Sequence, residues 1–301
     1  MKDLSYENIT DAVIASISKT EDPRLKEILT ALIRSAHGFV KEVELTQDEW
    51  ERAAGYLMRA AEISDDQRNE FILISDLLGI SSLVDLIGSR NRSDGSVSTL
   101  LGPFYVEGAP YIDTDGDLVK DNEGDRIVVS GRVTSTTHEP VPGALLDIWQ
   151  NAANGLYANV DPGQPDDNLR GRLRADANGA YAFSTIRPIA YEIPRDGACG
   201  EYQRATGRHG WRPAHVHARV SAEGFEPLII QIFDADDDYI EEDAVFGVRG
   251  ALAVPYDREP TAAELDRFSG VERPFHMVDF DIRLTPTGRG GQPVGHLGGS
   301  Q

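Results

Sequence analysis

Two histidines one residue apart, His215 and His217 in "RPAHVHARV", are the residues of this chain best spaced for chemistry. A β-strand points alternate side chains to opposite faces, so both imidazoles would stand on one side. Arg212 would bring a permanent positive charge close to both rings. That disfavours the protonated form and leaves neutral imidazoles able to ligate a metal. Pro213 fixes the backbone just ahead and tends to set where the strand begins. Two other readings stay open here: a pair of solvated or core-bound histidines, and half of an acid–base pair.

The other ligands of such a site have to come from elsewhere. Cys199 is the only cysteine, which excludes both an intramolecular disulfide and a thiolate cluster. Carboxylates are plentiful, so two histidines and one carboxylate are conceivable. Those nearest the pair, Asp234 and Asp236 to Asp238, lie in a charge run, the usual mark of a solvated loop. Tyrosine is the rarer option. Tyr157 ends "NGLY", past the strand candidate "LLDIWQ", and Tyr191 sits in "IAYEIP". A lone tyrosine is more often structural, but phenolate oxygen is a hard donor that favours Fe(III), as in the tyrosine-ligated haem of catalase.

Two stretches of different grammar must position these residues. Residues 1 to about 90 read as helices. "EDPRLKEILTALIRSAHGFVKEV" carries apolar residues near a 3.6 period, with Asp22 and Pro23 suited to N-cap and N1. "LTQDEWERAAGYLMRAAEI" opens with Thr46 and Glu49 at capping-box spacing, flanked by Leu45 and Trp50 as a hydrophobic staple. "SDDQRNEFILISDLLG" repeats the device with Ser64 and Gln67, and Gly79 is its stop; a short helix "SSLVDLI" follows, ending at Gly88. From about residue 126 short strand candidates alternate with turn signals: "RIVVSGRVT", "ALLDIWQ", "LRGRLRAD", "AYAFSTI", "AHVHARVS", "PLIIQIF" and "VDFDIRL". Asn178-Gly179, between the third and fourth, is a hairpin signal. Such a run predicts a β-sandwich rather than βαβ units. Residues 186 to 210 read as one long irregular segment, of a length that is usually functional or disordered; its apolar and aromatic content argues for the former. The fold class expected is mainly β with an α-helical N-terminal region. The expected division is 1–95 helical, 96–285 a β-sandwich catalytic domain, and 286–301 a flexible Gly-rich tail, which makes His296 a poor candidate for any role.

The bulk numbers narrow the partners. At 301 residues there is ample material for a core, and 40% hydrophobic with 26% charged content is ordinary for a globular protein. A formal net charge of −21 argues against nucleic acid and anionic membrane surfaces. The opening "MKDLSYENIT" has no apolar signal core, and no later segment approaches bilayer-spanning length, so no membrane insertion and a cytoplasmic location are expected.

Five blocks, in order, carry a family resemblance: "LLGPFYVEGAP", "PVPGALLDIWQNAANGLY", "DANGAYAFSTIRPIAYEIPRDG", "GRHGWRPAHVHARVSAEGFEPLIIQIF" and "DDDYIEEDAVFGVRGAL". Together they resemble the intradiol ring-cleavage dioxygenases of the catechol 1,2-dioxygenase type. The resemblance runs from the N-terminal helices to near residue 285. It implies a helical dimerisation region joined to a β-sandwich, a homodimer formed through those helices, and one mononuclear non-haem Fe(III) per subunit. The family's two tyrosines and two histidines fall on Tyr157, Tyr191, His215 and His217, with Tyr157 and His217 as the equatorial pair and Tyr191 and His215 as the axial one. Some relatives hold a phospholipid between their helical regions, which the apolar helices here permit.

The resemblance also implies the reaction, in which an aromatic diol and O2 give a ring-opened dicarboxylate. Tyr191 leaves the metal to take one diol proton, Arg212 stabilises negative charge arising on a ring carbon, and Gln231 lies near the metal-bound oxygen. The plainer reading of Gln231 is a polar residue on the outer face of a strand. Pocket lining falls on Leu73 and Asp76, on Leu100, Leu101, Gly102, Pro103 and Phe104, on Ile193 and Pro194, and on Val245. "AYEIPRDG" departs from the Gly-Cys-Pro that catechol enzymes typically carry after this tyrosine, and "DAVFGV" looks most like the hydroxyquinol 1,2-dioxygenases. Hydroxyquinol (benzene-1,2,4-triol) has one hydroxyl more than catechol, and a buried Asp76 could accept its proton; the plainer reading of Asp76 is a helix-end or interhelical polar contact. The expected product is 3-hydroxy-cis,cis-muconate, which tautomerises to maleylacetate. Catechol or chlorocatechol as main substrate is the alternative. Two other classes stay in view. "VSGRVTSTTHEPVPGALLDIWQ" also suits a transthyretin-like binding module without catalysis, and a zinc hydrolase would prefer His and carboxylate ligands.

Overall fold

The structure, a computed structural model, describes residues 3–65, 68–90 and 94–288. Those residues fall into two units that divide between Arg59 and Ala60. The first holds α1 (Ile9–Ser16), α2 (Pro23–Glu42) and most of α3 (Gln47–Ile63). Helix α2 starts as its sequence requires: Asp22 accepts from the N–H groups of Arg24 and Leu25 at 2.8 and 3.1 Å, with Pro23 at the first helical position. Before α3, the Thr46 N–H donates to the Glu49 carboxylate at 3.0 Å and the Glu49 N–H to the Thr46 hydroxyl at 3.4 Å, a reciprocal capping box. Apolar side chains recur along α2 at Leu25, Ile28, Leu32 and Phe39, and all four are exposed.

In the second unit α4 (Glu70–Leu77) and α5 (Ile80–Ser89) meet at Gly79, whose φ of 70° ends the first of them. The capping box expected at Ser64 and Gln67 is not what starts α4. Gln67 lies outside the described residues, Asn69 is the N-cap and accepts from the Ile72 N–H at 3.1 Å, and Ser64 Oγ accepts from the Glu70 N–H instead. Helix α5 runs through Gly88 to Ser89. Among the described residues no single helix is long and apolar enough to cross a membrane; α4 and α5 pass that test only as a pair, bent by 74°.

The strands are β1 (Arg126–Ser135), β2 (Leu145–Trp149), β3 (Arg170–Arg174), β4 (Ala180–Ile186), β5 (Tyr191–Glu192), β6 (Trp211–Arg212), β7 (His215–Ser221), β8 (Leu228–Asp234), β9 (Ala253–Val254), β10 (Phe275–Asp279) and β11 (Ile282–Leu284). One open, mixed sheet runs β3-β2-β7-β8-β9; the other is built on β1, which pairs with β4, β10 and β11; β5 and β6 form a separate pair. The core lies between the two sheets. Ile127, Val129 and Val133 from β1 and Tyr181 and Phe183 from β4 share one buried cluster with Leu146 and Ile148 from β2 and Val216, Ala218 and Val220 from β7. A sandwich and a helical N-terminal region are thus what form.

The Asn178-Gly179 turn is not a hairpin. Asp176 accepts from the N–H groups of Asn178 and Ala180, both at 2.8 Å, but β3 and β4 then enter different sheets. The turn carries the chain across the sandwich. Gly179 has a φ of 74°, and a Cβ there would come within 2.4 Å of the Val133 carbonyl oxygen, so both backbone angle and space call for glycine. The segment 186–210 is not irregular either. It holds β5, α6 (Ala198–Thr206) and the approach to β6. Helix α6 is seated by the buried Glu70, whose carboxylate accepts from the Cys199 N–H at 2.8 Å and pairs with Arg68 at 2.9 Å. Near the C-terminus a six-residue helix α7 (Ala262–Arg267) precedes β10. Of the expected tail, Pro286 bridges Phe225 and the Thr287 N–H bonds the Gly224 carbonyl; from Arg289 onward it lies outside the described residues.

Candidate active site

Strand alternation decides what β7 presents. Val216, Ala218 and Val220 enter the core, which turns His215 and His217 to the opposite face of the sheet. Register then sets their neighbours. Trp149 on β2 and Gln231 on β8 are both paired with His217, so the three side chains form one row across adjacent strands. The Trp149 ring stacks on the His217 imidazole at 4.6 Å and 10°. From the other side Gly102, at φ 74°, brings its backbone so close that a Cβ would lie 3.4 Å from His217 Cε1. Both histidines are buried. His215 Nδ1 lies 2.7 Å from the Pro213 carbonyl, which can only accept, so Nδ1 carries the proton and Nε2 keeps its lone pair. That Nε2 faces His217 Nε2 at 3.1 Å.

Two tyrosines close on the same point. The Tyr157 hydroxyl lies 3.5 Å from His215 Nε2. Its ring stacks on Phe104 at 4.3 Å and meets Tyr191 edge-on at 5.7 Å. Tyr191 reaches the site because β5 pairs with β6, in register with Arg212; the Arg212 Nη1–H donates to the Tyr191 hydroxyl at 3.3 Å. Two phenol oxygens and two imidazole nitrogens thus converge in a buried space.

The electrostatics favour the neutral forms of both imidazoles and of the Tyr157 phenol. Burial and the Arg212 charge push His215 down to about 3, and burial together with His215 and Arg212 puts His217 well below the usual histidine range. Burial and the neighbouring Tyr191 raise the Tyr157 phenol well above its usual value. Neutral imidazoles are ready ligands, and a phenol held this high ionises only if positive charge sits among the four atoms. Hard oxygens plus imidazole nitrogens, with no thiolate, fit a hard trivalent cation. A site of two histidines and one carboxylate does not form. Among the described residues no three or more His, Cys, Asp or Glu side chains converge. Asp234 is not in a solvated loop: it is buried and takes the Arg187 Nε–H at 2.8 Å.

Arg212 is buried beside the four donors. Its Nε–H and one Nη2–H donate to the two oxygens of Asp243 at 3.0 and 3.2 Å, and the other Nη2–H to Gln231 Oε1 at 2.7 Å. The second Nη1–H lies 3.3 Å from His215 Nε2. Gln231 is fully buried, not on an exposed strand face, and its amide donates to the Leu100 carbonyl at 2.6 Å. Asp243 was the missing member of the sequence reading. It opens "DAVFGV", a stretch the sequence marks by its resemblance alone, with no role for the aspartate.

The expected lining residues do not all take the same place. Leu73, Pro103, Phe104 and Pro194 border, with Tyr157 and Tyr191, a cavity of about 180 Å³. That is enough for one aromatic ring, since an apolar cavity of roughly 150 Å³ admits benzene. Leu100, Ile193 and Val245 pack with Leu73 and both tyrosines in one buried cluster without bordering that cavity. Asp76 is buried on α4; burial raises its carboxyl above the usual range, opposed by a Ser81 hydrogen bond and the Arg212 charge. Leu101 stands apart, with 37% of its surface exposed.

Comparison with known proteins gives concordant matches. The family model described as "Dioxygenase" matches residues 100–286, and that described as "Catechol dioxygenase N terminus" matches residues 22–95. The chain is 43% identical over 279 residues to a hydroxyquinol 1,2-dioxygenase of Rhizobium sp. (strain MTP-10005), covering 92% of this chain and 95% of that protein. It is 39% identical over 287 residues to a 6-chlorohydroxyquinol 1,2-dioxygenase of Cupriavidus pinatubonensis, covering 95% and 100%. The crystal structure of hydroxyquinol 1,2-dioxygenase from Pseudomonas putida DLL-E4 matches with a TM-score of 0.86 at 39% identity, over 93% of this chain and 98% of that one.

Proposed function

The chain belongs to the intradiol ring-cleavage dioxygenases, and from that membership we propose that it opens hydroxyquinol with O2 between C1 and C2, giving 3-hydroxy-cis,cis-muconate and then maleylacetate. The observation that carries this reading is the convergence of two phenols and two imidazoles beside a buried arginine and a ring-sized cavity. Tyr157, Tyr191, His215 and His217 would hold one Fe(III) per subunit. Bound there, Fe(III) supplies Lewis acidity that makes loss of both diol protons feasible near neutral pH.

The chain's own residues do the rest. As the phenolate, Tyr191 Oη would take one diol proton and become the phenol, while solvent takes the other; the Arg212 Nη1–H, 3.3 Å away, supports that oxygen. Arg212 presents that edge to the reacting ring, where a fixed guanidinium in a dry pocket stabilises developing negative charge. Gln231 holds the guanidinium from behind and ties it to Leu100. Leu73, Pro103, Phe104 and Pro194 wall the ring-sized cavity against water, and Leu100, Ile193 and Val245 pack in the same buried cluster as Leu73.

Substrate choice rests on Asp76. A carboxyl raised by burial and close enough to Arg212 to feel its charge is suited to receive a third ring hydroxyl. The relatives named for hydroxyquinol and its chloro derivative point the same way. Asp76→Ala is expected to lower the ratio of kcat/KM for hydroxyquinol over catechol by about 10²-fold or more, because a site built to bond a hydroxyl discriminates strongly. Oxygen uptake with the two substrates in parallel measures this; an unchanged ratio would remove Asp76 from recognition.

The same reading pairs two subunits through their N-terminal helices. The exposed Leu25, Ile28, Leu32 and Phe39 of α2 support it, and the same apolar residues suit the acyl chains of a phospholipid. A cytoplasmic setting accords with the lone, buried Cys199.

A further inference from the structure

We propose that Asp243 is a positioning residue for ring cleavage: it closes a ring of hydrogen bonds that fixes the Arg212 guanidinium together with the two segments flanking the ring-binding pocket. The proposal rests on the ring-cleaving reading of this site and adds to it the group that aims the arginine.

The circuit can be followed atom by atom. The Leu100 carbonyl accepts from Gln231 Nε2 at 2.6 Å, and Gln231 Oε1 accepts from Arg212 Nη2 at 2.7 Å. Arg212 donates from Nε and Nη2 to the two oxygens of Asp243. Asp243 Oδ2 also accepts from the Gly247 N–H at 2.8 Å, and Oδ1 from the Val245 N–H at 3.3 Å. The Gly247 carbonyl accepts from the Thr99 hydroxyl at 2.6 Å, which returns the path to the residue before Leu100. Strands β6 and β8, the segment 99–104 and the turn 243–247 are thus locked to one another.

Donor counting shows why Asp243 is the member that matters. A guanidinium has five N–H groups. Three are held by Asp243 and Gln231, and the two on Nη1 are left for Tyr191 and His215. Two of the three holding bonds, and the only carboxylate bonded to the guanidinium among the described residues, belong to Asp243. The planar bidentate pair fixes the rotation of the guanidinium, so Nη1 can face only the metal donors. It also offsets the buried charge locally, which keeps Arg212 from repelling a cation at the four-donor site. The same carboxylate holds the N–H groups of the turn whose Val245 packs in the buried cluster with both tyrosines, so the arginine pose and the packing around the tyrosines are set together.

The test uses the iron-loaded enzyme. Asp243→Asn keeps the shape but turns one acceptor into a donor that, whichever way the amide faces, opposes one Arg212 N–H and one backbone N–H of the turn, that of Val245 or of Gly247. Its expected outcome is a fall in kcat of about 10²-fold, the scale of losing one oriented charge-stabilising donor. With it should come a displaced tyrosinate-to-iron absorption band in the resting enzyme and a crystal structure in which the guanidinium has rotated off Tyr191. Asp243→Glu should recover part of the activity and the wild-type band. If Asp243→Asn does not fold, Thr99→Val opens the circuit at its far side. It should raise KM about tenfold while kcat falls by less than that, with recovery in Thr99→Ser. A folded Asp243→Asn enzyme with wild-type kcat, band and guanidinium pose would overturn the proposal, and so would a Thr99→Val enzyme with unchanged KM. Failure of the wild-type enzyme to cleave any diol would instead sink the functional reading, because the guanidinium pose in the variant crystal is read without turnover.

Discussion

His217→Ala is expected to give a protein that folds, binds iron poorly and cleaves no diol. On the proposed reading His217 is one of four donors to the iron, and its position is set twice over, by register opposite Trp149 and Gln231 and by stacking on the Trp149 ring. Alanine leaves His215 Nε2 facing a gap where a nitrogen stood at 3.1 Å. Changes merely around a metal ligand cost roughly 10–100-fold, so loss of the ligand itself should exceed about 100-fold in kcat/KM. A phenolate bound to Fe(III) absorbs visible light by charge transfer, so the wild-type protein should be red to burgundy and the variant pale. Iron content, the visible spectrum and oxygen uptake measure the effect together. A His217→Ala protein with full iron and unchanged colour would remove His217 from the ligand set. Val216, Ala218 and Val220 hold β7 in the core from its opposite face, so circular dichroism of the variant should still show the folded sandwich.

Arg212→Lys should be nearly as damaging, although the charge is kept. Lysine has three donors on a flexible stem and cannot reproduce a planar pattern of five bonds that reaches Asp243, Gln231, Tyr191 and His215 at once. If the guanidinium acts, as proposed, on charge that exists only as the ring reacts, the expected loss is about 10²–10³-fold in kcat, with a smaller change in KM. Arg212→Ala adds a second effect. Asp243 would be left buried and unpaired, which costs about 3–5 kcal/mol of stability, read by urea unfolding against the wild type. Equal losses in kcat and stability for lysine and alanine would mean that Arg212 only packs.

What could be read from the sequence follows from how local each signal is. Alternation in "HVHARV" is a two-residue pattern, and it correctly put both imidazoles on one face. The N-caps at Asp22 and Thr46 are three-residue patterns, and both formed. Tyr157 and Tyr191 lie 58 and 24 residues from His215, and neither has a local signature. They were reached only through the family resemblance. Asp243 is the opposite case. Its partner Arg212 is 31 residues away, and the resemblance of "DAVFGV" assigned it no role. Asp234 was misread because a carboxylate looks alike in sequence whether it faces water or Arg187. Asn178-Gly179 gave a true turn but a false hairpin, because a turn dipeptide specifies a change of direction and not which sheet the next strand joins. Helix α6 was hidden by glycines at 197, 200 and 207 and by an anchor, Glu70, that lies 129 residues from Cys199.

The most direct measurement is oxygen uptake by the purified iron-loaded protein with hydroxyquinol, catechol and chlorocatechols in parallel, with the products identified. The expected result is consumption of one O2 per diol, ring opening between the two adjacent oxygenated carbons, and the highest kcat/KM for hydroxyquinol. Clear preference for catechol would contradict the substrate assignment while leaving the site standing. A colourless, iron-free preparation that still turned over the diol would contradict the ferric site itself.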